Sequence, residues 1–205
     1  EDREAALLAH MHKETQYGLL TFVNGLIEPA RKQILLEHHI RESDFYDIVR
    51  SSPIVPPGRE YFFAKGIYQG FLGDFVSAIN TLVTQFEHSI RYILKSHGVI
   101  TSGIDDQNRQ DDRSLNATLY VDEIEEVFGE DIVFTLRNIL TERFGGNLRN
   151  KVAHGLMWPN SYFSQYSIFF WGFLLRLIFW PEIVEKYGKS EQNADEVDEN
   201  DINKD

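Results

Sequence analysis

Cysteine is absent from the 205-residue sequence. Disulfide bonds and thiolate metal sites are therefore excluded, and the composition is compatible with a reducing compartment, so we expect a cytoplasmic protein. The first residue is Glu1 rather than Met, and no apolar targeting segment follows it. We expect a fragment of a longer protein with an upstream region, or a processed protein, rather than a secreted product. With 42% hydrophobic residues, it has enough apolar surface to bury a core.

Basic residues are the second scarce class. The sequence has 20 Lys and Arg against 32 Asp and Glu, a formal net charge of −12. Residues 189–205 alone hold seven acids and two lysines, a net of −5, with almost no apolar side chains. We predict a solvated, disordered tail there. The remainder is still acidic, which argues against a broad non-specific nucleic-acid platform and leaves only a small local site.

Proline is also rare, and three of the six prolines stand in residues 51–58, the clearest break in the helical pattern. We predict a helical lead-in over residues 1–58, the main domain over residues 59–188 and the acidic tail over residues 189–205. No strand-like alternation is present, so the predicted fold class is an all-α helical bundle. The hydrophobic periodicity and the breakers predict a loop at 101–113 and helices at residues 2–40 (restarted or kinked at Pro29), 44–49, 60–72, 74–96, 115–128, 131–143, 147–157 and 161–180.

The last of these predicted helices has the length of a membrane span. Crossing a bilayer takes about 20 consecutive apolar residues. Gln165 and Arg176 interrupt the apolar run, and no basic cluster flanks it. We therefore predict a buried bundle helix and no membrane association.

Residues 147–155 combine several functional side chains in two predicted helical turns. At about 100° per residue, Asn150 and His154 share one face, with Lys151 beside them. Arg149 lies on the flank of the core-facing side, from which its long stem can bring the guanidinium into the same cleft. The spacing permits a shared site without requiring one. Three apolar residues form the predicted core-facing stripe of this helix: Leu148, Val152 and Leu156.

Such a group of side chains has the chemistry needed to cleave RNA without a metal or a cofactor. A histidine takes or returns a proton near neutral pH. An arginine holds the scissile phosphate through two parallel donors and stabilises the charge that develops on it. The nucleophile is the 2′-hydroxyl of the RNA itself. His154 is therefore a candidate acid or base, and Arg149 is a candidate phosphate ligand.

A polar stripe on the helix predicted at residues 74–96 includes Glu87 and Arg91. Two interpretations of this pair stay open. In the first, the two residues form an exposed i, i+4 ion pair worth only about 0.3–0.5 kcal/mol. In the second, which we favour slightly, Glu87 orients Arg149 or His154 from across the bundle.

The order Arg149, Asn150 and His154 resembles the nuclease motif of the HEPN superfamily, an arginine, a polar residue and a histidine. The flanking pattern is similar to one HEPN family found at the C-terminus of larger proteins, over about residues 24 to 180. Thr84 departs from it, at a position where a proline is expected. The matching pieces are residues 29–31, 52–60, 73–75, 85–91 and 147–155.

This resemblance implies a four- to five-helix bundle with an N-terminal helical extension, which forms a homodimer so that two motif helices line one cleft. It also implies a metal-independent endoribonuclease that attacks through the 2′-hydroxyl, with Arg149, Asn150 and His154 as catalytic residues. Glu87 and Arg91 would support them, and Lys151 would bind RNA. Many members of the superfamily act in phage defence or in toxin–antitoxin systems.

The alternative is a catalytically silent module for dimerisation or RNA binding within a larger protein. Some HEPN members have lost activity in this way. In that case Arg149 would be buried against Glu87, and His154 would take part in a packing contact. Metal catalysis is not expected, because the pairs His10, His12 and His38, His39 each point to diverging helix faces. No nucleophile turn or phosphate-binding glycine loop is present either.

Overall fold

The computed structural model describes residues 2–104, 110–112 and 114–181. Its architecture is a helical bundle, which confirms the predicted all-α fold class. The described elements, in chain order, are α1 (Asp2–Phe22), a π-helical turn (Val23–Ile27), α2 (Glu28–Glu37), a 3-10 turn (Glu42–Phe45), α3 (Tyr46–Ser51), α4 (Glu60–Leu72), α5 (Phe75–Ser96), β1 (Ser102–Ile104), β2 (Gln110–Asp112), α6 (Leu115–Thr118), α7 (Glu123–Phe128), α8 (Glu130–Leu140), α9 (Leu148–Ala153), a 3-10 turn (Pro159–Phe163) and α10 (residues 165–181). Within these residues, no helix combines the length and the apolarity of a bilayer span.

The α4–α5 pair is the central unit of the bundle, and both helices begin and end close to their predicted limits. Gly73 ends α4 in the left-handed conformation, at a φ of 82° that favours glycine. Asp74 then caps α5, because its side chain accepts a hydrogen bond from the backbone N–H of Ser77 at 3.0 Å. The apolar residues of α5 recur at helical spacing and are buried throughout, at Phe75, Ile79, Leu82, Phe86, Ile90 and Ile93.

Against this pair packs α10, through Trp171. The indole is 2% exposed and donates from Nε1 to the carbonyl of Ile67 on α4 at 3.1 Å. Gly70 makes room for it, since a Cβ at that position would overlap the indole ring. Close approach of α10 to the central pair therefore depends on a glycine.

Residues on both sides of the predicted boundary at 51–58 share one hydrophobic cluster. The earlier segment contributes Leu19, Val23, Phe45 and Val49, which pack with the core of α4 and α5. The division into a lead-in and a main domain stays a prediction. The tail predicted at residues 189–205, and the end of the main domain, lie outside the described residues.

Several predicted boundaries were wrong. The helices predicted at 2–40 and 131–143 end at Glu37 and Leu140. The loop at 101–113 contains an antiparallel hairpin in which β1 pairs with β2, and strands of three residues are too short to show alternation. The helix predicted at 115–128 is broken into α6 and α7. The carbonyl of Leu119, between them, accepts from Arg137 Nε of α8 at 2.8 Å instead of continuing a helical ladder. The predicted last helix begins as a 3-10 turn and becomes α-helical only at residue 165.

Candidate active site

Helix α9 carries the motif, but it is shorter than predicted. It ends at Ala153 rather than near residue 157, and His154 is its C-cap. Gly155 follows with a φ of 66°, which turns the chain away from the helix axis. At the other end, Asn147 has the N-cap position and a φ of 49°, but its side chain makes no capping hydrogen bond. Asn147 therefore has the position of an N-cap residue without making the capping bond.

The early end of α9 also changes the predicted core-facing stripe. Leu148 is 2% exposed and Val152 is half-buried. Leu156, however, is 64% exposed, because it follows the helix and no longer shares its face. The stripe was therefore wrong at its third position.

Arg149 of α9 and Glu87 of α5 form a two-pronged ion pair. The guanidinium donates from Nε to Glu87 Oε2 at 3.0 Å and from Nη2 to Glu87 Oε1 at 3.3 Å. Both side chains are largely buried, with 21% and 16% of their surface exposed. Planar two-point contacts of this kind fix the orientation of an arginine as well as its position. Helix α5 thus determines where the Arg149 guanidinium points.

Glu87 also accepts from Arg91, one turn further along α5. The distance from Arg91 Nη1 to Glu87 Oε1 is 2.9 Å. Burial raises the pKa of the Glu87 carboxyl, but the hydrogen bonds and charges of Arg149 and Arg91 outweigh burial, so the pKa lies below its ordinary value of 4.5. Glu87 therefore makes the contacts of both interpretations, with Arg91 and with Arg149, but its pair with Arg91 is largely buried rather than exposed.

Asn150 and Lys151 take different positions around this pair. Asn150 Oδ1 accepts from Arg149 Nη1 at 3.3 Å, and Asn150 Nδ2 donates to Asn147 Oδ1 at 2.7 Å. Lys151 donates from Nζ to the carbonyl of Gly146 at 2.8 Å, so its ammonium lies over the turn that precedes α9. Asn150 therefore contacts Arg149, whereas the Lys151 ammonium is hydrogen-bonded to the turn that precedes α9.

His154 is exposed. Its backbone N–H donates to the carbonyl of Asn150 at 3.1 Å, which keeps the predicted four-residue relation between these two residues. Among the described residues, none makes a hydrogen bond or ion pair with the imidazole. The geometry therefore fixes Arg149 tightly and holds His154 through its backbone alone.

Two features near the site were not predicted. Large apolar side chains flank the motif along the chain and are strongly exposed: Phe144 at 72%, Leu156 at 64% and Trp158 at 78%. The exposure of Leu156 and Trp158 depends on where α9 ends, which periodicity did not show.

The second feature is a buried polar cluster between α1 and α8. His12 is 2% exposed, contacts the Asn138 amide and stacks on Phe134. No sequence signal links residues so far apart. In the described part of the chain, no three His, Asp or Glu side chains are grouped so as to hold a metal.

Comparison with known proteins assigns no family to this chain. No family model, no curated protein and no solved structure matches it. A function must therefore be inferred from the side chains around Arg149 and His154.

Proposed function

We propose that this chain is a metal-independent endoribonuclease of the HEPN type. Arg149 binds the scissile phosphate, and His154 moves the proton to or from the reacting oxygens. The 2′-hydroxyl attacks the adjacent phosphorus, the P–O5′ bond breaks, and the products are a 2′,3′-cyclic phosphate and a 5′-hydroxyl. Asn150 and Glu87 position Arg149, and Arg91 holds Glu87 in turn.

The remaining hydrogen-bonding capacity of Arg149 carries this proposal. A guanidinium has five N–H donors. Three of them are used, by the two oxygens of Glu87 and by Asn150 Oδ1. One N–H on Nη1 and one on Nη2 are left without an acceptor among the described residues. Phosphate oxygens accept such charged N–H donors, so the contacts to Glu87 and Asn150 orient the arginine and leave it two donors for a ligand.

We propose a homodimer as the active form, because a single copy restrains His154 only through its backbone. The exposed Leu156 and Trp158 follow His154 closely along the chain, and exposed apolar side chains in a group are typical of protein interfaces. A two-fold contact through this segment brings two Arg149–His154 pairs to one cleft. Lys151 adds local positive charge on an otherwise acidic chain.

A silent scaffold is the second candidate, and one observation favours it: Glu87 already neutralises Arg149. That contact is what a purely structural arginine would make. The exposure of His154 fits this candidate less well, since a structural histidine is expected in a packing contact. The two candidates differ in whether RNA is cut.

The test is cleavage of a mixed RNA pool by the purified chain in EDTA. We expect 2′,3′-cyclic or 3′-phosphate ends and no cleavage of DNA, which lacks the nucleophile. His154→Ala should lower the rate by about 10²–10⁴-fold, as expected for loss of a general acid or base. Arg149→Lys should also be poorly active, since an ammonium is not a planar two-point donor.

The matched control is His39→Ala, which removes another exposed histidine and should leave cleavage unchanged. Cleavage that requires a divalent metal, or that survives both His154→Ala and Arg149→Lys, contradicts the mechanism. RNA binding that is equal with and without His154, in the absence of any cleavage, supports the scaffold instead.

A further inference from the structure

Asn147 stands immediately before α9 in a conformation that is uncommon for its residue type. Its φ is 49°, and it is the one non-glycine with a positive φ among the described residues. Asparagine tolerates the left-handed region better than most residues, but glycine adopts it without steric cost. The two preceding positions are already glycines, so a third glycine would suit this backbone at least as well. The presence of a side chain at Asn147 therefore calls for a reason.

Helix capping is not that reason. An asparagine at the N-cap commonly accepts a hydrogen bond from a backbone N–H of the first turn. Here the Asn147 side chain makes no such bond. Its Oδ1 accepts instead from the side chain of Asn150, at 2.7 Å from Nδ2. The carboxamide of Asn147 thus acts on a residue of the proposed site.

This bond and the contact with Arg149 are made by opposite ends of the Asn150 amide. With Nδ2 donating to Asn147, Oδ1 of Asn150 is presented to the guanidinium and accepts from Arg149 Nη1 at 3.3 Å. If the amide were reversed, its NH₂ group would face a guanidinium, which has donors only. Asn147 therefore stabilises the one amide orientation that contacts Arg149 favourably.

We propose that Asn147 is a positioning residue, which acts through Asn150 to hold the Arg149 guanidinium in the orientation that presents its remaining N–H donors to a substrate phosphate. Glu87 fixes the Nε and Nη2 side of the guanidinium, and Asn147 with Asn150 fixes Nη1. Both restraints are needed because the carboxylate leaves Nη1 without a protein acceptor. The role in catalysis rests on the proposed endoribonuclease function, whereas the restraint on Arg149 does not.

Two substitutions separate the backbone role of Asn147 from the role of its oxygen. Asn147→Gly keeps the left-handed conformation and removes the acceptor. Asn147→Asp keeps an oxygen in the same place and the tolerance for positive φ. We expect Asn147→Gly to melt at or above the wild-type temperature and to lose about 10–100-fold in kcat, as misplaced catalytic groups do. Asn147→Asp should melt near the wild type and retain most of the activity.

The second measurement needs no RNA. The Nε–H and Nη–H signals of Arg149, assigned by their loss in Arg149→Lys, report the rotation and solvent exchange of the guanidinium in NMR spectra of the full chain. We expect the Nη1 signals to exchange faster in Asn147→Gly, the Nε signal to change little, and Asn147→Asp to resemble the wild type.

Unchanged Nη1 signals in Asn147→Gly overturn the proposal, and so does equal loss of activity in both variants with the fold intact. If the wild type cuts no RNA, the proposed function fails. In that case, Nη1 signals that exchange faster in Asn147→Gly but not in Asn147→Asp still support the restraint on Arg149.

Discussion

Replacing Glu87 with glutamine tests the contact on which the site depends. Glu87 accepts three charge-assisted hydrogen bonds, two from Arg149 and one from Arg91. Glutamine keeps one oxygen and turns an NH₂ group toward guanidinium donors, so Arg149 and Arg91 lose the negative charge that they share. All three side chains are between 16% and 21% exposed.

The size of the effect follows from this burial. Breaking a fully buried ion pair costs about 3–5 kcal/mol, and a hydrogen bond to a charged group contributes about 1.5–3 kcal/mol. Water reaches these side chains in part, which weakens both terms. We therefore expect Glu87→Gln to lower the free energy of unfolding by about 2–3 kcal/mol at pH 7. Glu126→Gln, at an exposed carboxylate on α7, is the control and should stay within about 0.5 kcal/mol of the wild type.

The pH dependence gives the same substitution a second readout. The pKa of Glu87 is lower in the folded protein than its ordinary value of 4.5. A carboxylate with a depressed folded pKa contributes stability that is fully present above the unfolded pKa and is lost as the pH falls through the folded pKa. The gap between wild type and Glu87→Gln should therefore be constant near neutrality and shrink below about pH 4.5.

Urea titrations at several pH values and one fixed protein concentration measure this gap. Equal stability of the two proteins at pH 7 would show that the ion pair contributes nothing net. A gap that stays the same in acid would show that the loss comes from altered packing rather than from the charge of Glu87.

Two further predictions concern packing and assembly. Gly70→Ala should lower the free energy of unfolding by about 1–3 kcal/mol in thermal melts, because the new Cβ would overlap the Trp171 indole. The control is Gly18→Ala in α1, where a Cβ would have no atom within 4 Å. This control should raise the free energy of unfolding by about 0.5–1 kcal/mol. A stable Gly70→Ala would contradict the close approach of α4 and α10. Trp158→Ser should convert a dimer to a monomer in light scattering at tens of micromolar, while the control Trp180→Ser, on α10, should leave the dimer intact. A monomeric wild type would remove the dimer proposal.

Sequence reasoning worked where local signals agree. Helices α4 and α5 have a strong apolar period, a glycine that ends the first and an aspartate that caps the second. It failed where a residue far away in the sequence determines the local structure. The break between α6 and α7 involves a bond from Arg137 of α8 to the carbonyl of Leu119, and no local pattern marks it.

This difference between local signals and contacts from far away in the sequence also applies to the site. The polar face of α5 indicated that Glu87 has a partner, but helical spacing alone offered Arg91, one turn away. Arg149 is 62 residues distant, and the periodicity of α5 does not specify which helix packs against its polar face. The structure shows that one carboxylate serves both arginines, an arrangement that neither helix encodes by itself.

The early end of α9 has the largest consequence for function. One continuous helix would have held Arg149 and His154 on a common scaffold and restrained both in the same way. Instead, Arg149 is held by side-chain contacts to α5 and Asn150, whereas His154 is the C-cap of α9 and is exposed. General acid–base catalysis needs the imidazole within hydrogen-bond reach of the proton it moves. We expect that second restraint to come from bound RNA or from a partner copy packed on the segment around Trp158, which links the proposed activity to the proposed dimer.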